Sequence, residues 1–241
     1  GGGAGNESFG YIAGGIYWYL SYPDFYLHTY IQRIDYSNDN SAALHKGNLA
    51  TNCRDNSGTG NQSFGYFAGG TTQPFARIST VQRSDYSNDT ATVVVKGPLS
   101  SDHRRRMGGV GNADFGYFMG GYDAIPGSNN WTTIVDRIDY SNDTATASPK
   151  GPLTAGRAYG GGTGNREFGY FGGGEGNNNE NQSTLERITF ANDTATAVVR
   201  GPLIYNLRAQ SASSSKQNAN PVQTLQPAST VRENVAPQGT D

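Results

Sequence analysis

Phe9-Gly10-Tyr11-Ile12-Ala13-Gly14-Gly15 returns at 64–70, 115–121 and 168–174, and that fourfold return decides the fold. The Phe-Gly-Tyr starts lie 55, 51 and 53 residues apart. Outward from each copy a second motif follows, Arg33-Ile34-Asp35-Tyr36-Ser37-Asn38-Asp39, which recurs from Arg83, Arg137 and Arg187. Each of these arginines is 13 residues before the basic residue that opens Lys46-Gly47-Asn48-Leu49, Lys96-Gly97-Pro98-Leu99, Lys150-Gly151-Pro152-Leu153 or Arg200-Gly201-Pro202-Leu203. A period of about 50 residues belongs to propeller blades, and nothing within it has helical periodicity.

The third copy shows the local reading. Ile134, Asp136, Ile138 and Tyr140 alternate with Thr133, Val135, Arg137 and Asp139, a strand with one greasier face. Phe-Gly-Tyr-Phe ending at a glycine pair reads as a buried strand that stops where two backbones come close. Tyr-Ser-Asn-Asp-Thr is turn chemistry, because Asn and Asp tolerate left-handed angles and bond to their own backbone. The run 90–95, Thr-Ala-Thr-Val-Val-Val, reads as an outer strand, and a short Gly-x-Gly-Asn segment before Phe-Gly-Tyr supplies the inner one. Each repeat is therefore expected to be a four-stranded blade, giving an all-β propeller of four blades over 1–204.

A glycine pair, a strand ending in Asp-Tyr, a polar turn, an outer strand, and Pro-Leu followed by Arg54, Arg104, Arg157 or Arg208 resemble the kelch-type blade. The Trp that often marks the outer kelch strand is absent, with Val95, Ala147 and Val199 near its place. The wording Asp-Tyr-Ser-Asn-Asp-Thr-Ala-Thr with Lys-Gly-Pro-Leu is similar to kelch-like repeats of structural proteins in marine phages and related virus-like sequences. That second resemblance implies a virion component.

Residues 205–241 change character. No aromatic residue follows Tyr205, and a serine run leads into an Asn, Gln and Pro-rich stretch. The segment is expected to supply a strand that closes the first blade and then to extend as a tail. A ring closed within one chain is favoured over an incomplete ring completed by another chain. The tail either packs on its own propeller or, the sharper reading, docks on a neighbouring subunit.

Composition limits the chemistry. The 241 residues carry a net charge of −2 and only 16% charged residues, without the basic stripe that phosphate binding needs. Fifteen Tyr and ten Phe argue against disorder, and 34 Gly imply many tight turns. No run approaches the length of a membrane span. The chain opens on Gly1-Gly2-Gly3 with neither Met nor a signal-peptide pattern, which suggests processing or a piece of a longer protein. The single cysteine, Cys53, excludes an intrachain disulfide framework, and His28, His45 and His103 have no metal-ligand spacing, so no metal or other cofactor is expected. Asp35, Asp85 and Asp139, and the turn acids Asp39, Asp89, Asp143 and Asp193, recur from blade to blade. Recurrence of that kind suits turn-fixing bonds and ion pairs better than an active site, which needs asymmetry. No enzyme activity is expected.

What breaks the repeat points to binding. The connection from glycine pair to strand Arg is 13 residues in the second and fourth copies, 16 in the third and 18 in the first. The first insertion carries Tyr17, Trp18, Tyr19, Tyr22, Phe25 and Tyr26, and the third carries Tyr122 and Trp131. Equivalent propeller connections emerge on one face, so the two are expected to share a surface that packs locally, forms a subunit interface or stacks on sugars. Seven Asn-x-Ser/Thr sequons, at Asn6, Asn61, Asn88, Asn130, Asn142, Asn181 and Asn192, are glycan sites only if the chain passes through a eukaryotic secretory route. The functional expectation is a structural protein of an extracellular assembly, most readily a virion, whose partners are copies of itself or other assembly proteins. The alternatives are a glycan-binding module and a secreted glycosylated filament subunit. Neither nucleic acid nor membrane insertion is expected.

Overall fold

The computed structural model describes residues 1–18, 25–123 and 130–214. It is a β-propeller of four blades, each an antiparallel sheet of four strands in sequence order. Named from the innermost strand outward, the first blade comprises Gly2–Gly5, Phe9–Ala13, Tyr30–Asp35 and Leu44–Asn48. The second comprises Ser57–Gly60, Phe64–Ala68, Val81–Asp85 and Val94–Lys96. The third runs Gly108–Gly111, Phe115–Met119, Val135–Asp139 and Ser148–Pro149. The fourth runs Gly161–Gly164, Phe168–Gly172, Leu185–Thr189 and Val198–Arg200.

The first blade is complete, with Gly2–Gly5 paired to Phe9–Ala13 as its own inner strand. The expected closing strand from the C-terminal segment therefore has no place to fill, and 205–214 do not enter that sheet. The outer strands are also shorter than the β-rich run 90–95 suggested. Residues 89–93 are claimed by the neighbouring blade: Gly47 N–H donates to the Asp89 carbonyl and Val93 N–H to that of Asn48, at 2.6 and 2.9 Å.

There is no single core. Among the described residues three clusters lie between successive blades, and each blade after the first lends a phenylalanine and further side chains to the blade before it. Phe67 of the second blade packs with Tyr11, Ile31 and Leu49 of the first. Phe118 enters the cluster of Tyr66, Val81 and Leu99. Phe171 joins Tyr117, Val135 and Leu153. The middle strands are thus buried on both faces: Val135 belongs to the interface ahead and Ile138 to the one behind. Ring stacking repeats as well, Tyr11 on Tyr86, Tyr66 on Tyr140 and Tyr117 on Phe190, with centroids 4.6–4.9 Å apart.

A charged clamp accompanies each core. Asp143, in the turn of the third blade, accepts hydrogen bonds from the Tyr66 hydroxyl at 2.9 Å and the Arg83 guanidinium at 2.7 Å, and pairs with Lys96 at 3.0 Å. Tyr11, Arg33 and Lys46 hold Asp89 in the same way, and Tyr117, Arg137 and Lys150 hold Asp193. The repeated Arg and turn Asp of the sequence are thus partners across blades rather than within one. The other repeated acids fix turns: Asp35, Asp85 and Asp139 accept from the N–H and hydroxyl of Ser37, Ser87 and Ser141.

Among the described residues the fourth-to-first interface is not made. Ile12 occupies the position of Phe67, Phe118 and Phe171 but is 48% exposed, while those three are fully buried. Tyr36, the counterpart of Tyr86 and Tyr140, is 45% exposed. Asp39 is exposed, and Tyr170, Arg187 and Arg200, which would clamp it, have no acidic partner among the described residues. The ring expected to close within one chain is open among these residues.

Candidate functional site

The glycine pairs end each second strand with two residues at positive φ, for example 64° and 111° at Gly69 and Gly70, a conformation that side-chain-bearing residues avoid. These turns release the variable connections on one end of the propeller, and both aromatic insertions emerge there. The first forms a hairpin of Ile16–Trp18 and Phe25–Leu27. The second pairs Tyr122–Asp123 with Asn130–Trp131, and its Tyr122 also pairs with Arg105.

Among the described residues the insertions do not meet directly. The connection of the second blade lies between them, carrying Phe75 and Arg77. The Arg54 guanidinium stacks on Phe25 and Phe75, 5.4 and 5.8 Å from the ring centroids. Arg77 and Arg105 approach Tyr122 at 5.7 and 5.0 Å, and Trp131 packs edge-on to Tyr122 at 5.4 Å. Arg106 stacks on Tyr159 at 4.1 Å beside the inner strands, where Asp55 pairs with it at 3.1 Å. The result is a belt of arginines and rings across one end of the molecule, a surface suited to flat, polar or anionic partners. An open cleft of about 820 Å³ runs along the inner strands and reaches Ile12 and Tyr36 of the first blade, and a pocket of about 500 Å³ beside the first blade is lined by Tyr17, His28, Tyr30 and His45.

Among the residues singled out from the sequence, Tyr17 and Tyr26 are exposed, while Phe25, Tyr122 and Trp131 are half-buried in the belt. Trp18 ends the hairpin strand opposite Phe25, but its side chain, like Tyr19 and Tyr22, lies outside the described residues. Sequence reasoning missed Phe75 and Arg77, and gave Arg54 only a place in the repeat. The arginines four or five residues after Leu49, Leu99, Leu153 and Leu203 look equivalent, yet backbone pairing divides them. Arg104 and Arg157 turn inward, where Arg104 is fully buried on Asp136 at 2.8 Å and on carbonyl oxygens, and Arg157 is buried on Glu186. Burial holds both guanidiniums below their ordinary range despite these acids. Arg54 instead pairs with Thr71 as Arg105 pairs with Tyr122, and so reaches the surface. Cys53 takes the inward place in the first linker, and Gln82 replaces the acid there. Burial pushes its thiol up to about 12.

The sequons divide by chemistry. The Asn6 and Asn61 side-chain oxygens accept the N–H groups of Ser8 and Phe9, and of Ser63 and Phe64, while their amides donate to Gln62 and Ala113 of the next blade. Asn88, Asn142 and Asn192 are exposed and accept from the Thr two residues on. Asn181 is exposed, and the side chain of Asn130 lies outside the described part. Among the described residues no three His, Cys, Asp or Glu side chains converge as metal ligands, and no helix is long and apolar enough to cross a membrane.

No protein-family model and no curated protein sequence matches the chain. Among solved structures, the one titled "Structure of YjhT" is similar with a TM-score of 0.67 and 14% identity, over 81% of this chain and 67% of that one. At that identity the likeness shows the fold alone, a β-propeller.

Proposed function

We propose that the chain is a non-enzymatic interaction protein of an extracellular assembly, a kelch-like virion component in which propellers serve as building blocks. One observation carries this reading. The first blade exposes Ile12 and Tyr36, whose counterparts are buried or half-buried, the fourth leaves Tyr170, Leu185 and Leu203 half-buried where theirs are buried, and Ile204, on the linker after the fourth blade, is 90% exposed. Apolar surface left open in this way marks an interaction site. The resemblance of the repeat wording to phage structural proteins supplies the virion setting. Residues 205–214 lie on the chain's own fourth blade, so any docking of the tail on a neighbouring subunit falls to 215–241, outside the described residues.

Sedimentation equilibrium of the full chain over a wide concentration range tests the reading. The expected mass rises above the 25.7 kDa of one chain. A mass that stays there at the highest concentration, with no association with purified virions, contradicts it.

A second reading, glycan binding, is favoured by Arg54 between Phe25 and Phe75, since exposed rings flanked by a guanidinium suit acidic sugars. Binding of an acidic polysaccharide that is lost on Phe75→Ala, with the fold intact, is its expected signature. Equal retention by the variant contradicts it.

A further inference from the structure

We infer that the fourth blade takes the first blade of a second copy, head to tail, through the clamp that already joins successive blades within the chain. This rests on the assembly reading above and names the partner.

The two end faces are the separated halves of one interface built three times over. On the giving side, Tyr11, Arg33 and Lys46, then Tyr66, Arg83 and Lys96, then Tyr117, Arg137 and Lys150 each grip a turn acid of the following blade. Tyr170, Arg187 and Arg200 continue that series on the fourth blade and reach no acid among the described residues. On the receiving side, Asp39 continues Asp89, Asp143 and Asp193 but is exposed. The charges are complementary, two unanswered cations at one end and an unanswered carboxylate at the other.

The backbone gives the same result independently. Gly47, Gly97 and Gly151 N–H groups donate to the carbonyls of Asp89, Asp143 and Asp193, and a methyl group on any of the three would overlap the carbonyl oxygen of Ala91, Ala145 or Ala195. Gly201 stands at the same point of the fourth blade with nothing within 4 Å of a methyl placed there. No described residue fills this space, which matches the place that a turn such as the one carrying Asp39 takes on the internal blades. A second copy of this chain brings it, together with Ile12 for the place beside Tyr170 and Tyr36 for stacking on that ring.

The segment after the fourth blade occupies part of this face. Asp55, Arg106, Tyr159 and Ala209 share positive φ of 59–62°, and each of the last three donates its N–H to the carbonyl of the one before, at 2.8–3.0 Å. Counted from there, 211–214 fall where Ser57–Gly60, Gly108–Gly111 and Gly161–Gly164 form inner strands. Ala212 duly rests against Gly161, and Ser213 and Ser214 bond to Thr163 and Gly164. These residues stand in for the inner strand of a fifth blade that has no further strands among the described residues. An arriving first blade brings its own inner strand, Gly2–Gly5, so 211–214 must give way.

Two full-length variants test the inference. Asp39→Arg spoils the receiving half and leaves the giving half intact, whereas Arg187→Gln combined with Arg200→Gln spoils the giving half without creating a charge complementary to the new arginine of the first variant. Each variant alone is expected to sediment as a monomer with an unchanged unfolding midpoint. An equimolar mixture is expected to form dimers and nothing larger, because only one productive pairing remains. If Arg187→Gln lowers the midpoint through its contact with Phe168, Arg200→Gln alone replaces it. Wild-type multimers that both variants still form overturn the head-to-tail contact while leaving the assembly reading standing. A wild type that is monomeric throughout, and that Asp39→Arg destabilises, overturns it in favour of closure within one chain.

Discussion

Asp143 and Asp39 stand at the same place in the repeat and are expected to respond oppositely to the same change. Asp143 is nearly buried and held by three donors, so Asp143→Asn leaves Arg83 and Lys96 without their acid and costs about 2–3 kcal/mol. Asp39→Asn, in dilute protein, falls within about 0.5 kcal/mol of wild type. Urea unfolding of the two variants checks the pair. Burial raises the Asp143 carboxyl, but hydrogen bonds from Lys96 and Tyr66 and the charge of Arg83 outweigh it, so the group lies below its ordinary value. A carboxyl lowered in the folded state stabilises above its unfolded pKa, and that contribution is lost as pH falls through the folded value. Asp85 and Asp139, lowered chiefly by hydrogen bonds from Ser87 and Ser141, act in the same direction. The urea midpoint is expected to be level above about pH 5 and to fall below about pH 4, less steeply for Asp143→Asn. Cys53, buried and with its thiol pushed up to about 12, is expected to resist thiol reagents until the protein unfolds. Rapid labelling of native protein contradicts that placement.

At the scale of the strand and its turn, close approach of backbones separates glycines that look alike in sequence. Gly97→Ala forces a methyl group onto the Ala145 carbonyl and is expected to destabilise by several kcal/mol, on the order of an overpacked core site or more. Gly201→Ala is expected to leave the thermal midpoint of dilute protein unchanged. Likewise Phe118→Ala empties the second interface at about 3–5 kcal/mol, whereas Ile12→Ala costs under about 1 kcal/mol. The blade itself was legible because Phe-Gly-Tyr, Asp-Tyr-Ser-Asn-Asp and Gly-Pro-Leu recur in fixed order with turn chemistry between them. The outer strand was read too long because Val93 looks like part of a β run. Its side chain and amide are in fact used by the blade before it. The arginine–aromatic belt was half legible. Its rings break the repeat and so stand out, but Arg54 looks like Arg104 by spacing, and only backbone pairing shows one outward and the other inward.

At the scale of the whole molecule, stability resides in interfaces between blades. Three cores and three clamps serve four blades, as expected of a repeat array in which each unit buries its faces on its neighbours. Such an array is satisfied internally and unsatisfied at its ends. The sequence could not show this, because Asp39, Arg187 and Gly201 are ordinary members of their repeats, and only Ile12, standing where the other copies have Phe, departs from the pattern. Their exposure comes from position in the array rather than from residue type. The segment 205–214 extends that logic, covering the inner part of the last face with Ser-Ala-Ser-Ser where a further blade would begin.

Amide hydrogen exchange at the four equivalent glycines tests the central claim, that one interface is made three times and left open once, most directly. Gly47, Gly97 and Gly151 donate to the next blade and are expected to exchange slowly at every concentration. Gly201 is expected to exchange freely in dilute protein and to slow as concentration rises and a second copy supplies the missing carbonyl. A Gly201 amide protected to the same degree as the other three in dilute monomer would mean that the ring closes on itself, and would contradict the account.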